Sequence, residues 1–159
     1  NLPNSKITAL EIDKNLLSIA KDRLCEYPKE RLNFKYGSIN NSGLKENSFD
    51  FVICRFVFQH LEKPLTGARE IYKVLKKGGK FLQLDFGEHN FISKIFDFVV
   101  PLEVKLLKKE QQNYEYLLKS KNEFPEPDEL IREFEKHGFK YVKKCCFLFG
   151  TISAQIVEK

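Results

Sequence analysis

The stretch from Phe49 to Asp85, FDFVICRFVFQHLEKPLTGAREIYKVLKKGGKFLQLD, constrains the fold more than any other. Phe49 to Phe56 is an apolar run rich in β-branched and aromatic residues, as in a strand buried on both faces. Pro64 suits a first helical turn, where its missing N–H is not needed. From Leu65 on, Ala68, Ile71, Tyr72 and Leu75 recur at helical spacing. Lys76 and Lys77 then complement a helix C-terminus, and Gly78-Gly79 ends it. Lys80 to Asp85 starts a second strand. Strand, helix and strand make a right-handed βαβ unit, which belongs to a parallel sheet. Ligands of such sheets bind beyond the carboxyl ends of the strands. Cys54, Arg55, Gln59, His60, Asp85 and Phe86 therefore fall on the functional rim.

The flanking segments extend this pattern. Ile7 to Leu10 is a short strand ending at Glu11, and a helix starts near Asn15 with Leu16, Leu17, Ile19, Ala20 and Leu24 as its buried stripe. Glu11 thus sits on a strand-to-helix turn. A carboxylate there can accept from both vicinal hydroxyls of a ribose, or can simply favour a helix start. Asp13 competes for either role. Asn33 to Tyr36 is a further strand, closed by Gly37-Ser38-Ile39. Residues 86–127 open on an unusually aromatic and aliphatic stretch, Phe86 to Lys109, with helical parts broken by Pro101. Their place after a strand's carboxyl end makes them a substrate-covering insertion or a core-packing helix. Asp128 to His137 is an amphipathic helix closed by Gly138. Phe139 to Phe149 and Thr151 to Val157 pair as an antiparallel hairpin at the sheet edge. The expected fold is α/β: a Rossmann-like, mostly parallel sheet flanked by helices, with a C-terminal antiparallel edge hairpin, in one domain over 1–159.

Composition excludes some classes. Hydrophobic content of 42% and charged content of 31% are those of a soluble globular chain, and no run has the length of a membrane-spanning helix. The net charge of +5 comes from basic residues scattered among acidic ones, so no nucleic-acid partner is expected. Cys25, Cys54, Cys145 and Cys146 form no CxxC pair and are read as reduced and mostly buried, in a cytoplasmic setting. His60, His89 and His137 have no metal-ligand spacing, and no metal site is expected. The chain begins with Asn rather than Met, and is expected to lack its natural start.

These segments, in this order, resemble class I S-adenosylmethionine-dependent methyltransferases across nearly the whole chain. ITALEIDKNLLSIAKDRL is similar to the family's second strand and following helix, where the acid stands nine positions before the helix Ala, as Glu11 does before Ala20. FKYGSI is similar to the third strand and its adenine-side loop, and NSFDFVICRFVFQHLEKP to the fourth strand and the loop after it. AREIYKVLKKGGKFLQLD is similar to the motif that usually reads E-x-x-R-V-L-K-P-G-G. The C-terminal NYEYLLKSKNEFPEPDELIREFEKHGFKYVKKCCFLFGTISAQIVEK resembles the ubiquinone/menaquinone-biosynthesis C-methyltransferases, also grouped as methyltransferase type 11. The resemblance implies S-adenosyl-L-methionine as cofactor, with Glu11, Ile12, Gly37, Ser38, Ile39, Arg55 and Phe56 around it. It implies a small-molecule methyl acceptor, a quinone precursor or another apolar or aromatic molecule. A quinone substrate would bring the protein to a membrane surface as a peripheral protein. His60 is the rim residue whose type suits a general base, or it packs the loop.

The sequence departs from the family in several places. The Gly-rich loop after the family's first strand is not in this chain, which predicts weakened cofactor binding if these residues are all there is. Gly37-Ser38 replaces the usual Gly-Asp, offering a hydroxyl where a stronger, charged acceptor usually stands. Lys77 replaces the Pro before Gly-Gly. The loop after the fourth strand reads Phe56-Val57-Phe58-Gln59-His60, where the quinone enzymes typically have Phe-Gly-x-Arg-Asn. These departures motivate a second reading, a catalytically impaired methyltransferase-like binding or regulatory subunit. A third, a nicotinamide-dependent oxidoreductase, is disfavoured by the edge hairpin and the Lys-Gly-Gly turn.

Overall fold

The computed structural model describes residues 5–62, 66–106 and 111–159. The chain forms two compact units, Asn1–Leu44 and Lys45–Lys159.

The first unit holds β1 (Ile7–Glu11), α1 (Lys14–Arg23) and β2 (Leu32–Tyr36). The strands run parallel, from Ile7 opposite Leu32 to Glu11 opposite Tyr36. Asp13, not Asn15, is the N-cap of α1: its Oδ1 accepts from the N–H groups of Asn15 at 2.7 Å and Leu16 at 3.0 Å. The buried stripe is narrower than the periodicity predicts. Leu17 is buried, whereas Leu16, Ile19 and Leu24 are exposed, because two short strands give a ten-residue helix only one line of contact.

The second unit holds β3 (Phe49–Arg55), α2 (Thr66–Val74), β4 (Leu75–Phe86), α3 (Phe91–Leu106), α4 (Gln111–Glu123), α5 (Pro127–Lys136), β5 (Lys140–Phe147) and β6 (Ile152–Glu158). Its sheet order is β3-β4-β6-β5. β3 and β4 are parallel, as a βαβ unit requires, and β6 is antiparallel to both β4 and β5. The architecture is α/β with antiparallel strands at one side, as expected, and β5 takes the edge while β6 is covered on both sides.

Four local expectations are corrected. β3 is not buried on both faces. Phe51 and Ile53, two positions apart and so on one face of the strand, are 46% and 61% exposed, because the described residues leave that face uncovered there. Helix α2 stops at Val74, before the lysines. Leu75 already pairs with Phe49 and the next register pair is Phe51 with Lys80, so 76–79 bulge out of the ladder. Gly78 takes a φ of 75°, and a Cβ on Gly79 would lie 2.8 Å from the Lys76 carbonyl oxygen. The bulge is tied to the C-terminal residue: Gly78 N–H donates to the Lys159 carbonyl at 2.8 Å, and Lys159 N–H to Gly79 at 3.0 Å. Lys76 pairs with Asp50 at 2.7 Å instead of capping a helix. Pro101 does not break α3, which runs through it to Leu106; the helix is held to α4 by the buried Lys121, whose ammonium contacts Asp97 and the Ser93 carbonyl. Of the cysteines only Cys54 is buried; Cys25 and Cys146 are exposed, and all four are free thiols. Pro64 lies outside the described residues.

The core of this unit is aromatic. Phe81 of β4 meets Phe58, Phe134 and Phe139 at ring-centroid distances of 5.7, 5.4 and 6.1 Å, and Leu75, Leu130 and Val157 complete the cluster. Each such ring contributes about 2–3 kcal/mol by burial. α5 reaches this core because Pro127 opens it, Asp128 and Glu129 favour its first turn, and Gly138, at φ 95°, releases the chain into β5.

Candidate active site

In the first unit the carboxyl ends of β1 and β2 bring together Glu11, Ile12, Gly37, Ser38 and Ile39. Glu11 is half-buried, and its Oε1 accepts from the N–H groups of Ile12 at 2.8 Å and Asp13 at 2.9 Å. These two bonds fix the carboxylate at the turn between β1 and α1. Gly37 N–H donates to the Glu11 carbonyl at 3.0 Å, which docks the adenine-side loop beside the acid. A Cβ on Gly37 would stand 3.1 Å from Leu10 Cδ1, so this approach is tight. The Ser38 hydroxyl accepts from Asn40 N–H at 3.2 Å and can still donate its own hydrogen. Asp13 is committed to capping α1, which separates the two acids that sequence alone leaves in competition.

In the second unit the rim is built by β3, β4 and the 3-10 turn Phe58–His60. Phe56 has a φ of 53°, and its N–H donates to the Leu84 carbonyl at 2.9 Å. The chain therefore turns sharply off β3 while still hydrogen-bonded to β4. Arg55, the residue before that turn, is exposed. Phe58 then plugs the core with no exposed surface, which anchors the turn and leaves Gln59 half-buried and His60 exposed. The sequence pattern places Asp85 on the rim, but its carboxyl is fully buried. Oδ2 accepts from Gln59 N–H at 3.4 Å and Oδ1 from Phe86 N–H at 3.1 Å. Burial pushes the carboxyl up to about 6, against the lowering effect of these N–H donors. The same burial, with Asp85 close by, pushes the Cys54 thiol up to about 12, which rules it out as a nucleophile near neutrality.

Asp85 belongs to a polar patch that sequence reasoning does not find. β4 and β6 set Gln83 opposite Gln155 and Asp85 opposite Ser153, and all four are fully buried. Gln155 Nε2 donates to Ser153 Oγ at 2.7 Å, and Ser153 Oγ donates to the Phe86 carbonyl at 3.2 Å. The alternation Phe81-Gln83-Asp85 carries the signal: one strand face changes from apolar to polar toward its carboxyl end.

His60 does not stand alone. Its Nδ1 lies 3.1 Å from the Tyr116 hydroxyl on α4, its Nε2 lies 3.2 Å from Gln59 Nε2, and the His60 and Tyr116 rings are within 2° of parallel. Tyr116 is the other residue not singled out from the sequence as a site residue, although it stands in the NYEYLLKS segment that carries part of the family resemblance.

Comparison with known proteins decides the family. The sequence profile of the ubiE/COQ5 methyltransferase family matches residues 2–159. The chain belongs to this family. Its cofactor is S-adenosylmethionine. A demethylmenaquinone methyltransferase from Geobacillus sp. (strain WCH70) is 27% identical over 163 residues, covering 99% of this chain and 70% of that protein. One from Oceanobacillus iheyensis is 31% identical over 152 residues, covering 92% of this chain and 64% of its own length. Among solved structures, a SAM-dependent methyltransferase from Aquifex aeolicus superposes with a TM-score of 0.67 at 15% identity, over 96% of this chain and 68% of that one. The [4+2]-cyclase SpnF superposes with a TM-score of 0.70 at 13% identity, over 98% of this chain and 66% of that one. The structural likeness thus shows the Rossmann-like fold and not the reaction.

Proposed function

We propose that the protein transfers a methyl group from S-adenosylmethionine to a ring carbon of a quinone precursor, of the kind that the names of its demethylmenaquinone methyltransferase relatives describe. The observation that carries this reading is the likeness to those relatives over 99% of the chain. Glu11 takes the ribose hydroxyls, with Ile12 beside it; Gly37, Ser38 and Ile39 take the adenine side; Arg55 and Phe56 line the methionine side. The donor supplies an activated methyl group, so that a carbon–carbon bond forms as the sulfur–methyl bond breaks and S-adenosylhomocysteine leaves. The protein's own part is to position the acceptor, exclude water and remove a proton from it. Residues 86–127 cover the acceptor, and His60 belongs to the proton-removing machinery.

The setting proposed is the cytoplasmic side of a membrane, with no nucleic-acid partner. No helix among the described residues is long and apolar enough to cross a membrane. α3 instead carries Phe91, Ile95, Phe98 and Val99 exposed at helical spacing, a face suited to lying against lipid where an apolar-tailed acceptor would be found.

The test is product formation. The full-length protein, given S-adenosylmethionine and a demethylated naphthoquinol, is expected to yield the ring-methylated product and one S-adenosylhomocysteine per turnover, read by mass spectrometry. Binding of the donor with no transfer to any quinol acceptor would overturn the substrate assignment.

A further inference from the structure

The imidazole of His60 has no ring nitrogen left to meet a substrate. Nε2 is engaged by the Gln59 amide at 3.2 Å and Nδ1 by the Tyr116 hydroxyl at 3.1 Å. Taking a proton directly from an outside molecule would break one of these bonds. The Tyr116 oxygen is placed differently. Its residue is 54% exposed, and a phenol oxygen has one hydrogen and two lone pairs, of which His60 uses one site.

The direction of the relay depends on the Gln59 amide. With Nε2 toward His60, the amide donates to His60 Nε2; Nδ1–H then donates to Tyr116, whose own proton points outward. A half-turn exchanges the amide atoms in place. Gln59 Oε1 then accepts from His60 Nε2–H, and Nδ1 accepts the Tyr116 hydroxyl proton. Gln59 Oε1 is buried without a partner in the first orientation, so no other bond holds the amide that way. The second orientation gives Oε1 its partner, moves the amide Nε2 into the buried position and makes the outer oxygen a proton acceptor; the relay requires this orientation.

The turn carrying Gln59 and His60 is itself pinned. Asp85 holds the Gln59 N–H, and Phe58 is locked in the aromatic core. α4 brings Tyr116 to it from a separate element, with rings within 2° of parallel. This is more than loop packing requires, since an exposed histidine needs neither partner.

We propose that the Tyr116 hydroxyl is the catalytic group that meets the ring oxygen of the methyl acceptor, and that His60, held by Gln59, is the base behind it. This rests on the methyl-transfer reading given above. The acceptor O–H proton passes to the Tyr116 oxygen as the Tyr116 proton passes to His60 Nδ1. The acceptor becomes a phenolate with an electron-rich ring carbon, and His60 becomes an imidazolium whose Nε2–H is held by Gln59 Oε1. No oxidant or reductant is needed: the ring proton displaced at the methylated carbon leaves to solvent, and His60 returns its proton through Tyr116 to the ring oxygen.

Two readouts on the full-length protein test it. The first needs no turnover: ¹⁵N NMR of the His60 ring is expected to show Nε2 protonated and Nδ1 unprotonated, with the Nδ1 resonance moving in Tyr116→Phe. The second is kinetic. Tyr116→Phe, His60→Asn and the double variant are each expected to lose about 100-fold in kcat, the double no more than the singles, at unchanged S-adenosylhomocysteine affinity. The loss is expected to shrink toward unity with an acceptor whose hydroxyl is already ionised. Nδ1 protonated in the wild type, additive losses, or a loss independent of acceptor acidity would overturn the relay. A wild type that forms the NMR-defined pair but methylates no acceptor would overturn the functional reading instead.

Discussion

The two rims solve different physical problems. The Glu11 rim is made of local chemistry: one carboxylate fixed by two N–H groups next to it in sequence, and a glycine loop docked by a single backbone bond. Its helix buries only Leu17. The Asp85 rim is made of residues distant in the chain, with Asp85 and Ser153 fully buried beneath the exposed His60 and Tyr116. Gln59 reaches Asp85 across 26 positions, His60 reaches Tyr116 across 56, and Ser153 reaches Phe86 across 67. A charged acceptor for a ribose can remain near water and needs only aim. A group proposed to manage a proton needs its partners held in place. The difference predicts that damage to the core silences the second rim, whereas the first responds to single-atom changes.

The largest effect should come from the core that underlies the second rim. Phe81→Ala removes a ring shared by three others and is expected to cost about 3–5 kcal/mol in urea unfolding. A cost under 1 kcal/mol would mean that the aromatic cluster does not hold this unit together.

Next is Asp85. Its folded pKa of about 6 lies above the ordinary 3.8, so the folded state holds the proton more tightly than the unfolded one. Wild-type stability should therefore fall as the pH rises from about 4 to about 6 and level off above that, by roughly 3 kcal/mol from this group. Asp85→Asn has no such slope and still offers an oxygen to Gln59 N–H. Its stability relative to wild type is expected to rise by up to that amount between pH 4 and pH 7.5. Parallel pH curves for the two proteins would show that burial does not control this carboxyl.

Glu11→Gln keeps an acceptor for the Ile12 and Asp13 N–H groups and loses the charge. It should weaken S-adenosylhomocysteine binding about 10-fold by calorimetry, and Glu11→Ala by up to about 100-fold. Smallest is Asp13→Ala, which removes the α1 cap and is expected to cost about 1 kcal/mol of stability with the same affinity as wild type. An affinity loss confined to Asp13→Ala would exchange the roles assigned to the two acids.

Much of the frame is legible in residue order. β1, β2, β3, the β3–α2–β4 crossover and the β5–β6 hairpin all follow from hydrophobic period and turn residues, because those signals are local. Glu11 and Gly37 are found the same way, each sitting at the end of its strand. The misreadings share a cause. Leu75 and the lysines after it have helix-compatible periodicity, yet Leu75 pairs with Phe49 because sheet hydrogen bonds outweigh a few tenths of a kcal/mol of propensity. Leu16, Ile19, Phe51 and Ile53 are apolar enough for a core but have too few neighbours among the described residues to cover them.

The sequence by itself determined the family and the order of the strands along the chain, since both are carried by short motifs with fixed spacing. Only the tertiary structure decided that Asp13 caps a helix, that Asp85 is buried rather than presented, and that His60 meets Tyr116. The last two depend on which groups far apart in the chain the fold brings together, and hydrogen-bond partners 26 and 56 positions apart leave no period for a sequence to show.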